Sequence, residues 1–80
     1  MHVYSSTEAR LRQLDEWMRS GWEIEEPVLQ RNAYHSIFGC TSIFEVIVAR
    51  SGIRSVIALQ DEPDVRRFLT QRHLMIVDAY

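Results

Sequence analysis

The stretch from Ile43 to Gln60 constrains the fold more than any other part of the chain. Two runs rich in β-branched residues flank Ser51-Gly52, a pattern that is typical of a β-hairpin with a two-residue turn. That turn length predicts cross-strand pairs of Arg50 with Ile53, Val48 with Ser55, Val46 with Ile57, and Phe44 with Leu59. Because side chains alternate between the faces of a sheet, these pairs share one face, which we predict to be the core face.

The other face of the hairpin is mixed in character. It carries Ile43, Glu45, Ile47, Ala49, Arg54, Val56, Ala58 and Gln60. Ile47 falls opposite Val56, and this apolar pair is expected to be covered rather than left in water.

An amphipathic helix precedes the hairpin. Leu11, Leu14, Trp17 and Met18 recur at helical spacing between residues 6 and 20. Ser5 and Glu8 have the spacing of a capping box at the start of this helix. Gly21 is predicted to end it, since glycine favours the left-handed conformation that follows a helix.

The segment between helix and hairpin is harder to interpret. Trp22–Glu26 alternates as a strand does, and Pro27 predicts that this strand ends there or lies at a sheet edge. The alternative is that Val28 and Leu29 continue the strand past a kink. The stretch 30–42 is either a long loop or a strand. We favour a strand over Tyr34–Phe38 that follows a turn at Asn32-Ala33.

A second helix and a last strand follow the hairpin. Asp61 is the predicted N-cap of a helix that runs to about Arg72. Leu74–Val77 is apolar on both faces and is predicted to be a central or covered strand. If it lies parallel to the hairpin's second strand as its neighbour, the connection is a right-handed crossover.

Together these elements predict an α+β fold in a single domain spanning residues 1–80. The expected architecture is a two-layer sandwich, in which a mostly antiparallel sheet of four or five strands carries two helices on one face. The order is α-β-β-β-α-β, with Met1–Tyr4 as an optional strand in front.

The small size of the chain raises the question of what stabilises it. An 80-residue chain buries only about 60–65% of its unfolded surface, and such chains often depend on disulfides, metals or partners. Cys40 is the one cysteine, and it has no ligand-type spacing to His2, His35 or His73, so no metal site and no cofactor are indicated. The lone thiol and the lack of an export signal favour a cytoplasmic location.

Charge and hydropathy argue against two classes of partner. The net charge is −2, and the two arginines at the hairpin tip, Arg50 and Arg54, do not make a basic patch, so nucleic-acid binding is not expected. The apolar runs are too short to span a bilayer, so membrane insertion is not expected either.

No catalytic residue is assigned. Cys40 and His35 could form a nucleophile and base, but their separation does not place them in contact, and a free cysteine is usually a small buried apolar residue. Asp61, Glu62 and Asp64 are better explained by the start of a helix than by a cation site. The protein is therefore expected not to be an enzyme, with a cysteine-dependent enzyme as a distant third reading.

The preferred reading is a non-catalytic interaction module that forms a homodimer or binds another protein. The candidate interface residues are Ile47, Val56, Met75 and Val77, which one layer of helices cannot all cover. The alternative is a regulatory domain that binds a small molecule beneath the stretch 30–42, through Arg31, Tyr34 and His35.

The segment Gly21-Trp22-Glu23, between a helix and a strand, resembles a segment of small bacterial domains. The likeness covers the first fifty residues. It implies no known chemistry.

Overall fold

The chain forms an α+β fold with a mixed sheet. The computed structural model describes residues 6–36 and 39–78. Within them lie α1 (Ser6–Arg19), β1 (Glu23–Ser36), β2 (Gly39–Arg50), β3 (Ile53–Gln60), α2 (Pro63–Gln71) and β4 (Ile76–Asp78). This confirms the predicted class and element order. The predicted strand at Met1–Tyr4 and the capping residue Ser5 lie outside the described residues.

The four strands are arranged in the order β3-β2-β1-β4. The pairs β1–β2 and β2–β3 are antiparallel, whereas β4 runs parallel to β1. The sheet is therefore mostly antiparallel, as predicted, and β3 and β4 form its two edges.

The β2–β3 hairpin has the predicted register at every pair, from Arg50 opposite Ile53 to Phe44 opposite Leu59. Ser51 and Gly52 both have positive φ, 52° and 82°, as the tight turn that suits the twist of a hairpin requires. The local sequence therefore determines both the turn and the register.

The core is one cluster to which both helices and the sheet contribute residues. It consists of the buried residues Leu14, Val28, Phe44, Val46, Val48, Ile57, Leu59, Val65 and Leu69. Phe44, Val46 and Val48 alternate along β2, so they point to the same face, and residues of α1 and α2 belong to the same cluster. This shared cluster is compatible with the two-layer arrangement predicted from the sequence.

The predicted core face does not extend to the tip of the hairpin. Ile53 is 64% exposed, and its cross-strand partner Arg50 is also exposed. Neither of the two described helices covers this corner, so an apolar residue on the core side of β3 remains exposed.

The first helix ends as predicted. α1 stops at Arg19, and Gly21 has a φ of 99°, in the left-handed region that glycine occupies without a steric cost. Trp17 and Trp22 then pack with their ring centroids 5.8 Å apart against the core.

The prediction that the first strand ends at Pro27, or lies at a sheet edge there, is wrong. β1 continues through Pro27 to Ser36 and lies between β2 and β4. The register moves from Glu25 opposite Ile47 to Leu29 opposite Glu45, so four positions on β1 face two on β2. Pro27 lies inside this bulge, where it interrupts no regular ladder bond.

The predicted turn at Asn32-Ala33 is also wrong. Both residues lie inside β1, paired with Ser42 and Thr41. The strand favoured for this stretch is present at Tyr34 to Ser36, and β2 begins at Gly39. Asparagine favours turns, but cross-strand pairing outweighs this local preference at Asn32.

The last strand is at an edge rather than in the centre. β4 pairs only with β1, through Val28–Ile76, Leu29–Val77 and Gln30–Asp78, and all three of its residues are exposed. β3 and β4 are therefore not neighbours. Continuous apolarity predicted a covered strand, but no helix or further strand of the described chain covers this one.

The start of α2 differs from the prediction as well. Glu62, not Asp61, is the N-cap residue, and its side chain makes no capping hydrogen bond. The Asp61 carboxylate instead accepts two hydrogen bonds from Arg66, Nε to Oδ1 at 2.6 Å and Nη2 to Oδ2 at 2.7 Å. This paired contact with the guanidinium lowers the pKa of Asp61.

Candidate interaction surface

The sheet face opposite the core is the first part of the candidate surface, and we call it the outer face. Cross-strand register places on it every second residue of β2 and β3 and their partners on β1 and β4. These residues are Glu23, Glu25, Leu29, Arg31, Ile43, Glu45, Ile47, Ala49, Arg54, Val56, Ala58, Gln60 and Val77. Neither described helix contributes to this face, since the buried apolar residues of both belong to the core cluster.

Apolar side chains on the outer face lie in two places. Val56 is 57% exposed and stands opposite the half-buried Ile47. Val77 is 41% exposed and lies beside Leu29 on the neighbouring strand. The exposed apolar surface is therefore concentrated toward the two edges of the sheet.

Two ion pairs cross the middle of the outer face. Arg54 Nε on β3 lies 3.0 Å from Glu25 Oε2 on β1, so this contact spans β2. Arg31 pairs with Glu45 on the adjacent strand. Such exposed pairs contribute between about 0 and 1 kcal/mol each. Their main effect is to neutralise and orient the charges on the face.

The edge at β3 is capped along only part of its length. Arg10 Nη1 on α1 donates a hydrogen bond to the Ala58 carbonyl at 2.8 Å. Thr7 Oγ1 donates to Gln60 Oε1 at 3.5 Å. Both contacts hold α1 against the end of β3 that lies away from the hairpin turn.

The edge at β4 is anchored by a side chain. Val28 N donates to Met75 O at 2.8 Å, and Met75 N donates to Glu26 Oε2 at 2.6 Å. Since β1 bulges at this level, the Glu26 carboxylate takes the place of a ladder carbonyl. Met75 itself is 61% exposed.

Of the four candidate interface residues, Val56, Met75 and Val77 are exposed and Ile47 is half-buried. They do not form one compact patch, because Val56 lies on β3 and the other two exposed residues lie on or beside β4, three strands away. The contacts that such residues make with a partner remain a prediction.

The candidate ligand residues lie in the β1–β2 hairpin. Arg31 is on the outer face and is paired with Glu45. Tyr34 and His35 belong to β1, and the backbone register sets Tyr34 opposite Cys40, but the side chains of Tyr34, His35 and Cys40 are outside the described part. No cavity opens among the residues that the structure describes.

Sequence reasoning missed two features of this surface. The hairpin register predicts that Ile53 lies on the core face. Its position next to the turn is the signal that no helix covers it. Glu26 belongs to the alternating run Trp22–Glu26, and only the bulge at Pro27 shows that its carboxylate accepts a main-chain N–H.

Two further observations concern metals and membranes. Within residues 6–36 and 39–78, no three His, Cys, Asp or Glu side chains are grouped so as to hold a metal ion. Neither described helix combines the length and the apolar character needed to cross a membrane.

Comparison with protein-family models, with curated proteins and with solved structures gives no match for this chain.

Proposed function

We propose that this protein is a non-catalytic interaction module that forms a homodimer through its sheet. One observation carries the proposal. Among the described residues, the large apolar side chains that stay exposed are Ile53, Val56, Met75, Ile76 and Val77. All five lie on the edge strands or directly beside them, and none lies on a helix.

This distribution supports assembly at the sheet edges, because an edge strand with exposed apolar side chains and main-chain groups that lack a neighbouring strand is a template for pairing with another chain. The candidate interface residues Val56, Met75 and Val77 belong to this group. Ile47 borders it through its pairing with Val56.

The size of the outer face fits a modest interface. Four strands spaced by about 4.8 Å and seven residues rising by about 3.3 Å each give a footprint of about 19 by 23 Å. A stable interface buries about 800 Å² of accessible surface on each partner. The footprint of the outer face, about 440 Å², is about half of this area, so the edges are expected to contribute.

A second copy of the chain is the partner that the charges favour. The acids and bases of the outer face pair within one molecule, Arg54 with Glu25 and Arg31 with Glu45. The exception is Glu23, which makes no ion pair among the described residues. The face thus presents a single uncompensated negative charge, and two identical faces repel each other only weakly.

The experiment is the solution mass by light scattering over a wide concentration series. We expect a dimer mass that dissociates only on strong dilution. Val56→Glu should shift the equilibrium to monomer, since it places a charge among the exposed apolar residues. Thr70→Glu, on the exposed side of α2, is the matched control and should keep the wild-type mass. A monomer at all concentrations contradicts the proposal.

A further inference from the structure

The open part of the β3 edge offers main-chain hydrogen-bonding groups. In an antiparallel pair, successive residues direct their N–H and C=O alternately toward and away from the partner strand. The Ala58 carbonyl accepts a bond from Arg10 of α1, so Ala58 faces away from β2. By the same alternation, Arg54 and Val56 face away from β2 as well.

The outward main-chain groups of Arg54 and Val56 make no contact with α1. Arg10 and Thr7 contact only the Ala58–Gln60 end of β3. Among the described residues, no contact to the main-chain N–H or C=O of Arg54 or Val56 is found outside the strand ladder. The open edge therefore runs from the hairpin turn to the position of Arg10.

The charge that could protect this edge is turned away from it. Natural sheets often protect edge strands with charged side chains that obstruct a neighbouring strand. Arg54 is the only charged residue of β3, and its guanidinium reaches back across β2 to Glu25 at 3.0 Å. The ion pair both neutralises Arg54 and draws its side chain over the outer face.

The exposed side chains beside this edge are apolar on both faces of the sheet. Ile53 lies on the core side and Val56 on the outer side, and both are more than half exposed. A strand added here would cover both residues and satisfy the open main-chain groups at the same time.

We propose that the β3 edge from Ile53 to Ile57 pairs antiparallel with the same segment of a second copy, around a two-fold axis at Ser55. This inference rests on the proposed function and specifies how the homodimer forms. Arg54 of each copy exchanges two hydrogen bonds with Val56 of the other, which gives four main-chain bonds and one continuous sheet.

The residues at the two ends of this paired segment are compatible with strand addition. With the axis at Ser55, Ile53 lies opposite Ile57 of the other copy, so an exposed apolar residue meets the buried face of the neighbouring sheet. Gly52, at the turn, falls opposite Ala58 of the other copy. The added strand thus ends where Arg10 occupies the edge.

The β4 edge is a weaker acceptor. β4 has only three residues, and Asp78 places a carboxylate at its end. Short charged edges discourage strand addition. The eight-residue β3 is the better template.

Cysteine cross-linking tests the geometry. Two Ser55 residues across the axis form a non-hydrogen-bonded pair with Cα atoms about 4.5 Å apart, within the range that a disulfide spans. In a Cys40→Ser background, Ser55→Cys should form a disulfide-linked dimer at least tenfold faster than Thr70→Cys, a control on the exposed side of α2. Equal rates for the two variants would overturn the pairing.

A proline variant tests the hydrogen bonds. Val56→Pro removes the outward N–H, which supplies two of the four main-chain bonds, while the ladder to β2 keeps its own donors. We expect the dimer to weaken at least tenfold, whereas Val56→Thr, which keeps the N–H and the branched shape, should weaken it by only a few fold. Circular dichroism checks that each variant is folded.

A third variant separates the edge from the outer face. Ile47→Glu changes the outer face on β2, beside Val56, but leaves the outward main-chain groups of β3 unaltered, so the edge-paired dimer should persist in any variant that folds. Edge pairing is wrong, and the proposed function stands, if the wild-type chain is a dimer that Ile47→Glu dissociates and Val56→Pro does not. If the wild-type chain is monomeric at all concentrations and Ser55→Cys does not cross-link, both proposals fail.

Discussion

Asp61 and Arg66 show how one residue pair couples the start of α2 to the sheet. Asp61 N donates to Ser42 O on β2 at 3.0 Å, and its carboxylate holds Arg66 in a paired contact. The Arg66 guanidinium lies 5.5 Å from the centre of the Phe44 ring. The pair therefore orients a cation next to a core aromatic residue.

The lowered pKa of Asp61 predicts acid sensitivity. Hydrogen bonding and the charge of Arg66 lower this pKa in the folded state, so the unfolded chain binds the proton first as the pH falls. The resulting stabilisation is present above the ordinary carboxyl pKa of about 3.9 and is lost as the pH falls further. The midpoint of urea unfolding should thus depend less steeply on pH below 4 in Asp61→Asn than in the wild type.

A second substitution serves as the control for this pair. Arg66→Gln should flatten the pH dependence in the same way, and the double variant should add nothing further, because both changes remove one interaction. Independent effects of the two substitutions would show that the pair is not the cause.

His73 is a residue whose backbone conformation suits glycine better. It follows α2 with a φ of 53°. His73 N donates to Thr70 O at 3.0 Å and Leu74 N to Leu69 O at 3.3 Å, a C-terminal arrangement in which glycine usually takes the left-handed position.

His73→Gly is therefore expected to stabilise the fold by up to about 1 kcal/mol, because the left-handed conformation costs about 1–2 kcal/mol for other residues. Part of this gain is offset by the greater freedom of glycine in the unfolded chain. Thermal unfolding measures the effect. His73→Ala, which keeps the steric cost, should show no gain, and a lower midpoint for glycine than for alanine would contradict the explanation.

At the scale of elements, β4 depends on a side chain for part of its attachment. Met75 N lies 2.6 Å from Glu26 Oε2 at the level where β1 bulges. Removing this acceptor leaves the N–H to water, at a cost of about 1 kcal/mol for an exposed hydrogen bond.

We expect Glu26→Ala to loosen β4 and to speed amide hydrogen exchange at Met75, with little change in the β2–β3 ladder. Glu26→Gln keeps an oxygen acceptor and should retain most of the protection. Glu23→Ala, an exposed carboxylate on the same strand, is the matched control. Unchanged exchange at Met75 in Glu26→Ala would show that the carboxylate does not hold β4.

The elements that could be predicted from the sequence are those set by local interactions. The β2–β3 hairpin follows from a two-residue turn between two β-branched runs, and α1 from its apolar spacing and Gly21. The course of β1 through Pro27 depends on a bulge, and the place of β4 depends on pairing with a strand about fifty residues earlier. Neither the bulge in β1 nor the pairing of β4 with β1 can be inferred from a local sequence pattern.

The candidate surface could be predicted only in part. Val56, Met75 and Val77 were identified because one layer of helices cannot cover them. The outward direction of the Arg54 and Val56 main-chain groups follows from the two-residue turn, because the residues that flank such a turn bond to each other and the pattern then alternates. The position of β3 at an edge could not be predicted, since it depends on where β1 and β4 pair. The ion pair that moves Arg54 off the edge joins strands that are not adjacent, and spacing in the sequence does not reveal it.

The molecule as a whole is more extended than a compact chain of its length. Its radius of gyration is 13.2 Å, against about 11.6 Å for a compact 80-residue domain. The β1–β2 hairpin explains part of this difference, because it continues past the ends of β3 and β4 to Ser36 and Gly39. An extended sheet leaves more edge and less core for the same number of residues.

If the native state is a dimer, its thermal stability must depend on protein concentration. Each tenfold increase in concentration should raise the midpoint by about 4–5 °C, given an unfolding entropy of about 2.1 cal/mol/K per residue in two 80-residue chains. Scanning calorimetry over a hundredfold range measures this, and a midpoint independent of concentration would indicate a folded monomer.

The pairing of β4 with β1 has a consequence for how the molecule folds. The two hairpins join strands that are close in the sequence and are expected to form early, whereas Val28 meets Ile76 only after a long loop closes. Until then, β1 is itself an edge, and its main-chain groups from Val28 onward are open to any neighbouring strand. During refolding at high protein concentration, the docking of β4 therefore competes with aggregation. A slower docking step lowers the yield of folded protein.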